Sequence, residues 1–145
     1  MTWINEITKV YDQYFKDGFN KLGLLRFDEM DGPGMGAVIK FKNHSFKIQI
    51  LNDRGILETE ISSLYGDEQF RPLELFNLLL RLEQLDDNLS RQERRRILGT
   101  RIGYSEQTDF LVDNNAVLAE LLNNRNYEKT LKRIDALGRE RFELS

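Results

Sequence analysis

The sequence predicts an α+β fold: a four-stranded antiparallel meander with an N-terminal helix and a C-terminal helical group packed on one face. Three observations predict it. Apolar residues alternate from Ala37 to Ile61 with the period of half-buried strands. Asn43-His44 and the run Asn52 to Gly55 interrupt that alternation with turn-forming residues. The flanking segments carry apolar residues at helical spacing instead.

The first element is helical. Trp3, Ile7, Val10 and Tyr14 form a stripe, with Ile4, Tyr11, Phe15 and Phe19 beside it. This predicts an amphipathic helix from about Thr2 to Asp17, ending near Gly18. Its aromatic stripe reads as core rather than as the lining of a ligand pocket.

A first strand follows over Leu24 to Glu29, leading into a glycine-rich turn from Asp31 to Gly36. The next three strands come with a register. A two-residue loop at Asn43-His44 sets Phe41 opposite Phe46 and Ile39 opposite Ile48. A four-residue loop from Asn52 to Gly55 sets Ile50 opposite Leu57, Ile48 opposite Thr59 and Phe46 opposite Ile61. Every apolar residue then meets an apolar or methyl-bearing partner, and a one-residue slip would destroy the match. The opposite face carries Lys40, Lys42, Lys47, Gln49, Glu58 and Glu60. The expected pairs there are Lys47 with Glu60, Gln49 with Glu58 and Lys40 with Lys47. No helix is assigned to cover this face.

Arg71 to Glu83 is a leucine-rich second helix, with Pro72 at its first position and Asp86-Asp87-Asn88 after its end. Ser90 with Glu93 spells a capping box for a short helix through Leu98. Gly99 and Gly103 bracket an irregular passage. Thr108 or Asp113 starts the next helix, with Val117, Leu118, Leu121 and Leu122 on its stripe. Asn126 caps the last, with Tyr127, Leu131, Ile134 and Leu137 on one face.

The chain has 145 residues, 40% hydrophobic and 31% charged, which suits one globular domain over residues 1–145. No apolar run approaches the roughly 20 residues that span a bilayer, so no membrane partner is expected. Met1 to Glu6 lacks the basic and apolar regions of a signal peptide. With no cysteine there is no disulfide, which fits a reducing cytoplasm. A net charge of −3 argues against a general nucleic-acid binder.

No catalytic constellation stands out. Gly32-Pro33-Gly34-Met35-Gly36 lacks a P-loop lysine and a following helix, and Asp28, Glu29 and Asp31 beside it repel phosphate. It reads as a hairpin turn. His44 is the only histidine and sits in a turn, so neither a triad nor a common zinc site is expected. The carboxylates show no spacing that singles out a catalytic pair. No metal and no cofactor is expected. Arg91, Arg94, Arg95 and Arg96 form the strongest charge run, without interleaved aromatics for base stacking. The stretch from Glu58 to Asp87 is acid-rich, which would steer association with a basic partner.

The layout carries one resemblance. An amphipathic helix precedes a meander with Ile48-x-Ile50-x-x-Asp53-Arg54-Gly55 at its tightest turn. The helix opening Pro72-Leu73-Glu74-Leu75-Phe76 follows, and the run from Asn126 to Phe142 closes the chain. This layout resembles small bacterial proteins, some found among the immunity proteins of polymorphic and contact-dependent toxin systems. The resemblance implies a cytoplasmic protein that neutralises a cognate toxin by occluding its active surface or the surface used to enter cells. It carries over no site residues.

Charge and placement nominate Glu58 and Glu60 on the open sheet face, with Asp86 and Asp87, as toxin contacts. The alternative is a non-enzymatic adaptor or regulatory module that binds protein through Arg94, Arg95, Arg96 and the C-terminal helices. An enzyme would instead require a deep cleft with converging carboxylates.

Overall fold

Two hairpins organise the sheet, and a computed structural model, which describes residues 2–32, 36–85 and 88–144, shows how their turns close. β2 (Gly36–Lys42) and β3 (Lys47–Asp53) meet through a two-residue loop at His44-Ser45. Asn43 decides this. Its backbone N–H donates to the Phe46 carbonyl at 3.2 Å, and its side-chain oxygen accepts from the N–H groups of Ser45 and Phe46 at 2.8 and 3.0 Å. The loop therefore sits one residue later than expected. Phe41 lies opposite Ile48, and Ile39 opposite Ile50.

β4 (Ile56–Ser62) follows a tighter turn than expected. Only Arg54 and Gly55 lie outside the ladder, with φ of 52° and 99°. Positive φ at both central residues is the hairpin geometry whose twist matches the strands. Ile50 therefore faces Thr59, and Ile48 faces Ile61. Both expected registers are corrected by two residues, an even number, so every side chain keeps its face. Ala37, Ile39, Phe41, Phe46, Ile48, Ile50 and Ile61 are all buried. The polar pairs do change: Gln49 faces Glu60, Lys40 faces Gln49, and Lys42 faces Lys47.

The sheet has five strands in sequential antiparallel order rather than four. β1 (Leu25–Gly32) is an edge strand with a bulge at Phe27. β5 is only Arg71–Pro72, paired with Ile61 and Glu60. The glycine-rich turn is seen at its ends, where Gly32 pairs with Gly36. Pro33, Gly34 and Met35 lie outside the described residues. A Cβ on Gly36 would fall 2.0 Å from the Asn52 carbonyl oxygen, so close strand approach accounts for this glycine.

The N-terminal helix runs on past Gly18. α1 (Trp3–Val10), a π turn (Tyr11–Phe15) and α2 (Lys16–Lys21) are consecutive, and the chain leaves at Gly23 with φ 67°. Gly18 is buried, and a Cβ there would lie 2.4 Å from Thr108 Cγ2. Its smallness admits a neighbouring helix rather than ending its own. In the widened turn the Tyr14 carbonyl accepts from Thr108 Oγ1 at 2.9 Å. Most of the aromatic stripe is core, as expected, with Tyr14 left exposed: Tyr11 stacks on Phe41 at 5.0 Å, and Phe19 meets Phe41 edge-on at 4.9 Å. α1 packs on β2 and β3.

α3 (Leu73–Glu83) starts one residue after Pro72, which is held in β5. It buries Leu73, Phe76 and Leu78. α4 (Arg91–Leu98) is capped by Ser90, whose oxygen accepts from Glu93 N–H at 3.1 Å. α5 (Tyr104–Asp113) begins before Thr108, because the Glu106 side chain accepts from Gly103 N–H at 3.1 Å. α6 (Asn115–Leu121) follows. Asn126 immediately precedes α7 (Tyr127–Leu144), as expected, its carbonyl accepting from Thr130 N–H at 2.9 Å, while the Asn123 side-chain oxygen accepts from Asn126 N–H at 2.8 Å. α7 packs on α3 and α4, and α5 packs on α2. Among the described residues no helix is long and apolar enough to cross a membrane.

Candidate functional site

The face of the sheet away from the helices reads as three cross-strand rows. One is Leu25, Lys42, Lys47 and Ser62. The next is Asp28, Lys40, Gln49, Glu60 and Pro72. The third is Met30, Val38, Leu51 and Glu58. The sequence presented this face as open and of mixed charge. The structure divides it into a closed half and an open half.

The chain covers the basic half itself. Lys40 and Lys47 both pair with Glu68, from the segment between β4 and β5. Partial burial pushes the Glu68 carboxyl up, but hydrogen bonds from the two lysines more than offset this. It sits below the usual carboxylate range. The bulged Phe27 lies under Lys42 Nζ at 4.9 Å and Lys47 Nζ at 5.7 Å, and Phe70 under Lys40 Nζ at 5.5 Å. Gln49 Nε2 donates to Glu60. These contacts hold the lysines and Glu60 in place.

The third row is different. Met30 is 64% exposed, Val38 and Leu51 are half-buried, and together they line a depression of 500 Å³ with Asp53 at its side. Ile56, 69% exposed, shares their face beyond Asp53. Asp28, Asp53 and Glu58 rim this surface. An apolar centre with a charged rim is the usual anatomy of a protein interface. The sequence reading missed it, though a signal was present. Ala37-Val38, Ile50-Leu51 and Ile56-Leu57 each place two apolar residues in succession where strict alternation allows one. A strand with that pattern is apolar on both faces.

The nominated contacts separate accordingly. Glu58 ends the apolar row and is exposed; Glu60 is engaged by Gln49. Asp86 and Asp87 lie outside the described residues. The three arginines lie in three different settings. Arg94 makes a two-pronged bond to Glu140 on α7, at 2.5 and 2.8 Å, Arg95 lines a cleft, and Arg96 is exposed. The bond to Arg94 holds the Glu140 carboxyl below its usual range. His44 is exposed in its turn.

Glu58 also borders that cleft, which has a volume of 470 Å³ and lies where α3, α4 and α7 meet the sheet edge. Glu74 lies in it too, and its oxygens accept from Arg101 at 3.1 Å, Arg141 at 3.4 Å and Ile102 N–H at 3.0 Å. Glu74 thus ties α3 to α7 and to the passage after α4. Burial, then the charges of Glu60 and Glu74, push the Glu58 carboxyl up, against the pull of Arg101. The two carboxylates are unequal: Glu74 accepts three hydrogen bonds, and Glu58 sits above the usual carboxylate range. Among the described residues no group of three or more acids or histidines is placed to hold a metal.

Compared with protein-family models, curated proteins and solved structures, the chain matches none.

Proposed function

We propose that this chain is a protein-binding domain of the immunity type, which neutralises a cognate toxin by covering its active surface or the surface used to enter cells. One observation carries the reading: the apolar row of exposed Met30 and half-buried Val38 and Leu51, rimmed by Asp28, Asp53 and Glu58. The apolar row supplies the burial that drives association. The acids select a basic partner and speed its approach. On the other half of the face Glu68 pairs with two of the three lysines, so a docking partner meets its apolar, acidic end at the Met30 row. The reading places the protein in the cytoplasm, where it would meet the incoming toxin.

Where a toxin domain is encoded beside its gene, co-expression with that domain tests this. The wild-type chain restores growth, and Leu51→Asp abolishes rescue while circular dichroism stays native. Failure of the wild-type chain to rescue, or full rescue by Leu51→Asp, would overturn the proposal.

A further inference from the structure

We infer that the outer edge of β4 is a docking lane for an extended peptide segment that carries a carboxylate. β5 is two residues long and pairs only with Glu60 and Ile61. Among the described residues, no strand pairs with the edge from Ile56 to Thr59. This stretch spans about 13 Å at strand spacing. A free edge presents N–H and C=O groups in the pattern that an added strand uses. Exposed edges are commonly blunted by a bulge or a cover. The β3–β4 ladder is regular here, and the chain frames the edge without pairing with it.

Two hollows of 310 and 470 Å³ follow the edge and share Glu58, Pro72 and Glu74 in their walls. The smaller lies against the start of α5, at Tyr104 and Gln107. The larger ends at Arg95, Arg101 and Arg141.

Unpaired polar atoms point to a ligand here. Thr59 is 6% and Gln107 8% exposed, and both line the smaller hollow. Thr59 Oγ1 and Gln107 Oε1 have no hydrogen-bond partner in the protein. Gln107 Nε2 donates to the Ile102 carbonyl at 3.1 Å, which fixes its oxygen as the free acceptor. Arg141 Nε, in the wall of the larger hollow, is a buried donor without a partner. Buried polar groups are paired as a rule. One exception on β4, one on α5 across the smaller hollow and one on α7 beside the larger match the mixed donors and acceptors of a peptide better than they match an apolar ligand.

Charge specifies the carboxylate. At the far end three cations, Arg95, Arg101 and Arg141, line the hollow against two carboxylates, Glu58 and Glu74. Arg101 is 71% exposed on its side chain, within reach of an added anion. Guanidinium groups recognise carboxylates through paired hydrogen bonds. The carboxylate comes from an acidic side chain or from a chain terminus. This lane is a different edge from the one that carries Met30, and its occupancy does not require the open-face docking proposed above.

Titration of the isotope-labelled chain with synthetic octapeptides, followed by amide chemical shifts, tests the inference. The probes alternate Thr and Val and end in Glu-Asp or Gln-Asn, each as free acid and as amide. The expected result is a shift pattern centred on Ile56 to Thr59 and Ile102 to Gln107. Affinity should fall about tenfold or more when all carboxylates are removed, the loss of one charge-assisted contact. Comparing the amidated Glu-Asp peptide with the free-acid Gln-Asn peptide identifies the source of the carboxylate. Proline in the middle of the peptide should abolish the shifts, and Arg101→Ala should erase the preference for acid. Leu51→Asp should leave them unchanged, which separates this lane from the open face. No shifts at about 1 mM peptide, shifts elsewhere, or equal binding of acidic and neutral probes would overturn it.

Discussion

Asn52 Nδ2 lies 3.1 Å from the carbonyl oxygen of Trp3, joining the β3–β4 hairpin to the first turn of α1. The same amide donates to Glu6 at 2.9 Å, and its oxygen accepts from Gly55 N–H at 2.8 Å. Asn52 is fully buried, so these bonds form away from competing water. Asn52→Ala leaves several of these partners unsatisfied and should cost about 2–3 kcal/mol in urea unfolding. A loss below about 0.5 kcal/mol would mean the tie is dispensable.

Gly18 and Thr108 form a second joint, between α2 and α5. Gly18→Ala drives a methyl against Thr108 Cγ2, whose hydroxyl is held by the Tyr14 carbonyl. The expected cost is about 1–3 kcal/mol. Thr108→Ser removes that methyl and keeps the hydroxyl. The double variant should therefore recover most of the loss, and additive losses in a double-mutant cycle would refute the contact.

Two glutamates on the sheet side should respond to pH in opposite directions. The folded pKa of Glu68 is lowered, so its stabilisation is present above the unfolded carboxylate value and lost as pH falls through the folded one. Glu68→Gln should be less stable than wild type near pH ~7, and the gap should close as pH falls through the folded value. The folded pKa of Glu58 is raised, so its cost develops as pH rises through the unfolded value and is complete above the folded one. Glu58→Gln should be more stable than wild type near pH ~7 and equal near pH ~3. Each effect should stay below about 1 kcal/mol because water screens both groups. Thermal melts across this range check the two signs.

Much of the fold was legible because strand alternation states which face each residue takes, and shifts of two residues preserve that answer. The registers were less legible because turn chemistry is ambiguous in sequence. Asn43 serves as the residue before a turn rather than within it, and Arg54 takes a left-handed φ that its side chain does not advertise. Asn52 reads as a loop residue, yet tertiary bonds make it core. Gly18 looks like a helix stop until its neighbour Thr108, 90 positions away in sequence, is placed against it. For the candidate site, Glu58 was found by its charge. Val38 and Leu51 were missed because each looks like core when its strand is read alone, and Met30 because the first strand runs past Glu29. Only the register makes them one row. The groove along β4 depends on β5 stopping after two residues, which local sequence does not state.

Calorimetric titration of the cognate toxin domain into wild type, Leu51→Asp and Asp53→Lys, at low and high salt, tests the central claim most directly. Leu51→Asp should weaken binding about a hundredfold, as loss of a buried anchor does. Asp53→Lys should weaken binding mainly at low salt, as a rim charge does. Affinity unchanged in both variants would contradict docking on the Met30–Val38–Leu51 row.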